Sequence, residues 1–299
     1  MSLYKEKSQN FNFLYKNLEF SDFYLFLKII LSKLGVDTMY LLLDVGNTNI
    51  CVALYKEDKI VKTWRLQTDK NKTADEYAIL LSNLTQSQQT NLVDIRRIIV
   101  SSVVPVITDK FIQLCENYGF NPPFIIKANL KSNLTVAIGS PDSLGSDLFA
   151  SAVTARSLYP DKTTIILDMG TTTTVSVLSS EGKFMGGAIT TGFEAMANAL
   201  FSNAALLSQT TLSSKKKVNA IGFNTTDCIS SGLLYGYAGM VDNIIYNTIK
   251  ELAPLKREDI EVITTGGQAQ YIYEYSNYID KISSDFIFIG MMLLYQMNK

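Results

Sequence analysis

Leu41-Leu42-Leu43-Asp44-Val45-Gly46-Asn47-Thr48 recurs further along the chain as Thr164-Ile165-Ile166-Leu167-Asp168-Met169-Gly170-Thr171. Each copy is an apolar run, an Asp, one apolar residue, a Gly and a small polar residue. The run has the length and composition of a buried strand. A strand ending in Asp and followed by Gly gives a tight turn with exposed backbone N–H groups. Those groups, with hydroxyls beside them, can cradle phosphate, and the Asp can hold a hydrated cation. One copy alone is weak; two copies in the same local order imply two similar units in tandem.

The flanking sequence repeats as well. After the first turn, Ile50–Tyr55 and Ile60–Leu66 read as strands separated by the polar turn Lys56–Lys59. Thr73-Ala74-Asp75-Glu76 opens a helix to about Leu84, with acids where the helix dipole favours them. Arg97–Val103 is a strand, Pro105 starts a helix to about Tyr118, and Phe124–Lys127 is a strand. The order is β-β-β-α-β-α-β. After the second turn come strands at Thr174–Leu178 and Phe184–Ile189, helical stretches at 193–207 and 225–252, and a strand at Ile260–Thr264 ending in Thr265-Gly266-Gly267. The fold class is α/β, with a first unit at 39–157 and a second at 158–299.

Composition narrows the chemistry. The chain has 299 residues, 47% hydrophobic and 18% charged, with a net charge of −1, so nothing marks a nucleic-acid partner. It contains no histidine, which excludes Ser-His-Asp triads, Cys-His pairs and His-ligated metals. Proton transfer then falls to a carboxylate, Lys, Tyr, Cys or the substrate. Cys51, Cys115 and Cys228 are odd in number and dispersed, which fits free thiols in a reducing cytoplasm.

Residues 1–38 form an N-terminal extension. Its segment 11–34 is rich in Phe, Leu, Ile and Tyr, but Asp22, Lys28 and Lys33 interrupt it. It reads as a partly helical extension with neither a stable membrane span nor a secretory signal, and Met39 looks like the start of the folded domain. The stretch 208–219, with Lys215-Lys216-Lys217, reads as a solvated loop.

Neither Gly-x-x-x-x-Gly-Lys-Ser/Thr nor Gly-x-Gly-x-x-Gly occurs. A duplicated domain with two phosphate turns resembles instead the actin, Hsp70 and sugar-kinase superfamily, with two tandem ribonuclease-H-like (actin-like ATPase) domains around a nucleotide cleft. Within it the sequence is similar to the type III pantothenate kinases from Met39 to Lys299. The resemblance rests on Asp44–Thr48, Trp64-Arg65-Leu66 with Thr68, Thr73–Tyr77, Ser101–Pro105, Leu144-Gly145-Ser146-Asp147, Asp168–Thr174, Gly186–Ile189 and Thr265-Gly266-Gly267.

The resemblance implies ATP-dependent phosphorylation of pantothenate, the first step toward coenzyme A, with Mg²⁺ and a monovalent cation (K⁺ or NH₄⁺), in a homodimer. It implies Asp147 as general base, in a substrate-binding stretch Gly145, Ser146, Asp147 and Leu148. It places ATP and its phosphates at Asp44, Gly46, Asn47, Thr48, Gly170, Thr171, Thr172, Gly266 and Gly267, and metal at Asp44 and Asp168. Taken alone, Asp147 also suits a helix N-cap, because a helical run follows it. Three positions depart from the family: Leu148 replaces an Arg suited to a carboxylate, Ser176 an Asp, and Thr191 the Pro of a Pro-Gly pair. Two other readings stay open, a kinase for another small hydroxy acid and a nucleotide-binding regulatory protein. The apolar segment 229–245 suits either the subunit interface or the core.

Overall fold

The computed structural model describes residues 38–136, 144–203 and 218–299. The N-terminal extension and the lysine-bearing loop, but for Thr38 and residues 218–219, lie outside those residues. The first half contains β1 (Met39–Val45), β2 (Asn49–Lys56), β3 (Lys59–Gln67), α1 (Ala74–Gln86), β4 (Ile95–Ser102), α2 (Pro105–Asn117) and β5 (Phe124–Ile125). β6 (Thr135–Val136) and α3 (Ser146–Leu158) lead into β7 (Thr163–Met169), β8 (Thr172–Leu178) and β9 (Lys183–Thr191). α4 (Phe193–Asn203), α5 (Thr225–Glu251), β10 (Ile260–Thr265), α6 (Ala269–Ile272), β11 (Lys281–Ile282) and α7 (Phe286–Asn298) follow.

The tandem repeat is plain in the sheets. The first is ordered β3-β2-β1-β4-β5, and the second β11-β10-β7-β8-β9-β6. Within each, a three-stranded antiparallel meander is followed by parallel strands on its far side. β1 and β7 are central, so both faces are covered. Leu41, Leu42 and Leu43 are fully buried, as are Ile165 and Leu167. That double burial is why these strands read as continuous apolar runs.

Local chemistry fixes the helices. Thr73 caps α1, accepting from the Glu76 N–H at 3.2 Å, while Glu76 accepts from the Thr73 N–H at 2.7 Å. Pro105 occupies the first turn of α2. α1 and α2 cover the outer face of the first sheet through Tyr77, Leu81, Ile107 and Phe111. α4, α5 and α6 cover the outer face of the second. Leu233, Leu234 and Tyr237 of segment 229–245 are buried there, while Tyr235 is exposed.

The inner faces share one core. Leu42 and Ile99 from the first sheet join Ile166 and Ile263 from the second, with α3 and α7 between them. α3 packs on β4 as well as β7 and β8, and α7 on β1 and β4. The helices meet where a Cβ on Gly290 would overlap the Ala150 carbonyl, and Thr154 Oγ1 donates to the Phe286 carbonyl at 2.7 Å. This pairing brings the N-terminus of α3, and hence Asp147, between the two sheets.

Candidate active site

Both Asp-x-Gly turns close at the same ends of their sheets. Gly46 N–H donates to the Asn49 carbonyl at 2.9 Å, and Gly170 N–H to the Thr172 carbonyl at 3.0 Å. The turns meet: Thr171 Oγ1 donates to Thr48 Oγ1 at 3.0 Å. Asn47, Thr48, Thr171 and Thr172 are exposed, and Gly46 and Gly170 half-buried. Hydroxyls and turn backbone from both halves therefore line one opening.

Asp44, Asp147 and Asp168 lie beneath it, each half-buried. Burial pushes the Asp44 carboxyl well above the ordinary carboxylate range; the charges of Asp147 and Asp168 push the same way, and a hydrogen bond from Ser101 opposes them. Burial, then the Asp147 charge, pushes Asp168 up to about 6. Burial also raises Asp147, against the backbone N–H groups of Leu148 and Asp147 itself. Three mutually repelling carboxylates suit a bound cation. Among the described residues no three His, Cys, Asp or Glu side chains converge closely enough to hold an ion alone. That donor set fits Mg²⁺, which needs only one or two carboxylates beside waters and substrate phosphates.

Asp147 is in the first turn of α3, whose N-cap is Gly145. Its Oδ1 accepts from the Leu148 N–H at 2.8 Å. Ser146 anchors this turn to β4: its Oγ accepts from the Ser102 N–H at 2.9 Å, lies 3.0 Å from Ser101 Oγ and donates to the Ser102 carbonyl at 3.2 Å. Because Ser101 is also the register partner of Asp44 across β4–β1, this hydroxyl pair stands between the first carboxylate and the Asp147 helix. Leu148 packs on the core shared by the halves and offers no charge to the opening.

Gly266 and Gly267 back the second turn. Gly266 has φ +93°, and a Cβ there would stand 2.5 Å from the Met169 carbonyl oxygen and 2.7 Å from Asp168 Oδ1. Gln268 N–H donates to the same carbonyl at 3.1 Å. A Cβ on Gly192, the residue after Thr191, would stand 2.5 Å from the Gly170 carbonyl oxygen.

Several site residues carried no assigned role in the sequence. Thr68 braces the first turn, donating from Oγ1 to the Gly46 carbonyl at 2.7 Å and from N–H to the Thr48 carbonyl at 2.9 Å. Ser101 stands beside Asp44, and Thr174 is paired with Asp168 across β7–β8. The available signal was position: Thr68 directly follows β3, which pairs with β2, and Ser101 is the next-to-last residue of β4, beside β1.

Two sheets of one strand order, with paired Asp-x-Gly turns over a carboxylate floor, define an actin-like fold. MreB 5 of Spiroplasma citri bound to AMPPNP superposes with a TM-score of 0.51 at 10% identity, covering 87% of this chain and 96% of that one. Component A of the Acidaminococcus fermentans (R)-2-hydroxyglutaryl-CoA dehydratase gives 0.50 at 14% identity, covering 88% and 100%. These likenesses show the fold alone. The sequence profile described as "Type III pantothenate kinase" matches residues 40–247. A type III pantothenate kinase of Bacillus cytotoxicus is 36% identical over 260 residues, covering 87% of this chain and 97% of that one. The chain belongs to the type III pantothenate kinase family.

Proposed function

We propose that this protein transfers the γ-phosphoryl group of ATP to the terminal hydroxyl of pantothenate, giving 4′-phosphopantothenate for coenzyme A synthesis. Family membership supports the reaction. The meeting of Thr48 and Thr171 over the three carboxylates carries the site assignment. Gly46, Asn47 and Thr48 bind the phosphates from one side, and Gly170, Thr171 and Thr172 from the other. Gly266 and Gly267 let the nucleotide lie against backbone. The halves 39–157 and 158–299 act as the two domains that close on it.

Gly145, Ser146, Asp147 and Leu148 form the acceptor wall, Ser146 by fixing the α3 turn. Asp147 takes the proton of the acceptor hydroxyl as its oxygen bonds the γ-phosphorus and the bond to the β-phosphate oxygen breaks, releasing ADP. Burial strengthens Asp147 as a base. Asp44 and Asp168 hold Mg²⁺, which supplies charge neutralisation along the phosphates when bound.

A monovalent cation, K⁺ or NH₄⁺, sits beside Asp168. The support is Thr174 Oγ1, buried without a hydrogen-bond partner next to that carboxylate, with Ser176 buried two residues on. The protein works as a homodimer, for which Met185 and Ile189, exposed on one face of β9, offer an apolar surface. A cytoplasmic setting is supported by three free cysteines. Among the described residues no helix is long and apolar enough to cross a membrane.

A second reading, a kinase for another small hydroxy acid, is favoured by Leu148, which gives a carboxylate no cation. ADP release with ATP, Mg²⁺ and K⁺ decides between them. Stimulation by pantothenate, cut about 10²- to 10⁴-fold by Asp147→Asn in a folded protein, is the expected result. An ATP-binding protein that pantothenate does not stimulate sinks the first reading.

A further inference from the structure

A row of side chains crosses the first sheet. Register pairs Ser101 with Asp44 across β4–β1, Asp44 with Cys51 across β1–β2, and Cys51 with Arg65 across β2–β3. Register partners on adjacent strands project to the same face, so the row looks into the cleft. Ser146 and the Asp147 turn lie at its Ser101 end. Arg65 lies at the other, away from the acceptor wall.

The Arg65 side chain does not stay over its own sheet. Its guanidinium reaches the second half and rests on Gly267, where a Cβ would come within 2.8 Å of Nη1 and 2.9 Å of Cζ. Cys51, its register partner on β2, lies beneath it. Arg65 makes no ion pair among the described residues and is exposed, as is Gly267. An ordinary solvated arginine needs no glycine on the opposite half to receive it. A guanidinium held across a cleft without a carboxylate partner presents its planar donor fork to an incoming anion, and that fork matches phosphate oxygens two at a time.

We propose that Arg65 binds the phosphate chain of the nucleotide against the Gly266–Gly267 turn, so that one side chain from the first half ties the polyanion to the second. This rests on the nucleotide site of the proposed kinase and adds a positioning residue to it. Arg65 serves the nucleotide rather than the acceptor, because the row places it opposite Asp147.

The test is calorimetric binding of ATP, ADP and adenosine to the full chain, for wild type, Arg65→Gln, Arg65→Lys, Gly267→Ala and the Arg65→Gln/Gly267→Ala double variant. Arg65→Gln is expected to weaken ATP and ADP roughly 10- to 100-fold, the scale of a lost charge-assisted contact, and to leave adenosine unchanged. Arg65→Lys recovers part of the loss. In turnover, Arg65→Gln raises KM for ATP and leaves KM for pantothenate alone. Gly267→Ala, which pushes the guanidinium off its seat, costs less ATP affinity in the Arg65→Gln background than in wild type. Wild-type ATP affinity in Arg65→Gln, an equal loss for adenosine, or additivity of the two changes would each overturn the inference while leaving the kinase reading intact. A wild-type protein that binds no ATP would instead remove the kinase reading, and this inference with it.

Discussion

The two Asp-x-Gly turns occupy equivalent places in equivalent sheets, yet they are built differently. The first has four residues between the pair Val45 and Ile50, the second only three between Met169 and Thr173. The first is braced by a side chain, Thr68, whose hydroxyl reaches the Gly46 carbonyl. The second is braced by missing side chains, since Gly192 and Gly266 let neighbouring backbone close on it. The rows beside the two carboxylates diverge as well. Asp44 has Cys51 and then Arg65 on its antiparallel side, whereas Asp168 has Thr174 and then Ile189, which is 74% exposed. Both have a hydroxyl residue on the parallel side, Ser101 and Thr265. The shared architecture sets where each carboxylate stands, and the row around it sets which partners it can take.

The sharpest way to break this comparison is to add one methyl group to a glycine in the first turn and to the glycine that backs the second. Gly266→Ala must resolve a strained φ of +93° and a clash with the Met169 carbonyl, and is expected to lose about 2–4 kcal/mol. Gly46→Ala meets only the Asn49 carbonyl oxygen, at 3.2 Å, and should lose less than about 1 kcal/mol. Thermal unfolding of the pair measures the difference; equal losses would erase the distinction.

The next effect concerns charge. Asp168 titrates near 6 in the folded protein, above the ordinary 3.8. Between those values the folded chain holds more protons than the unfolded one, so this group makes stability fall as pH rises from about 4 to 6 and adds no further change above. Asp168→Asn should shrink that fall and raise the stability of nucleotide-free protein at pH 7 by on the order of 1–3 kcal/mol. Melting curves at pH 5 and pH 7 check it, and a variant no more stable than wild type at pH 7 contradicts it. The smallest expected effect is that of Thr68→Ala. Losing the 2.7 Å bond to Gly46 should cost about 0.5–1.5 kcal/mol and loosen phosphate binding modestly, as read from unfolding and ATP titration.

The repeat was legible because both central strands are buried on two faces and end in the same four-residue signature. The local order of the first half and most strand limits followed from the same patterns. Asp147 proved to sit in the first turn of its helix rather than at the cap, because Gly145 takes the cap position. Two-residue strands such as β6 and β11 are too short to carry a period. The sharing of α3 and α7 between the sheets was hidden for another reason. Residues 149–155 of α3 are all buried, so no polar stripe betrays which side faces what. At the site, the carboxylates and glycines stood in recognisable motifs. The contacts of Ser101 with Ser146, and of Arg65 with Gly267, join residues far apart in sequence and exist only once both sheets are in place.

The helix α7 has a consequence for how the protein is made. It is the last element in chain order, yet it packs on β1 and β4, which are among the first. Domains generally begin to fold as they leave the ribosome, N-terminal part first. Here the first sheet would emerge with Leu42 and Ile99 uncovered and wait for nearly the whole chain before α7 arrives. Loss of residues 286–299 would therefore be felt in the N-terminal sheet. Until α7 arrives, only α3 can cover part of that face, through its contacts with β4.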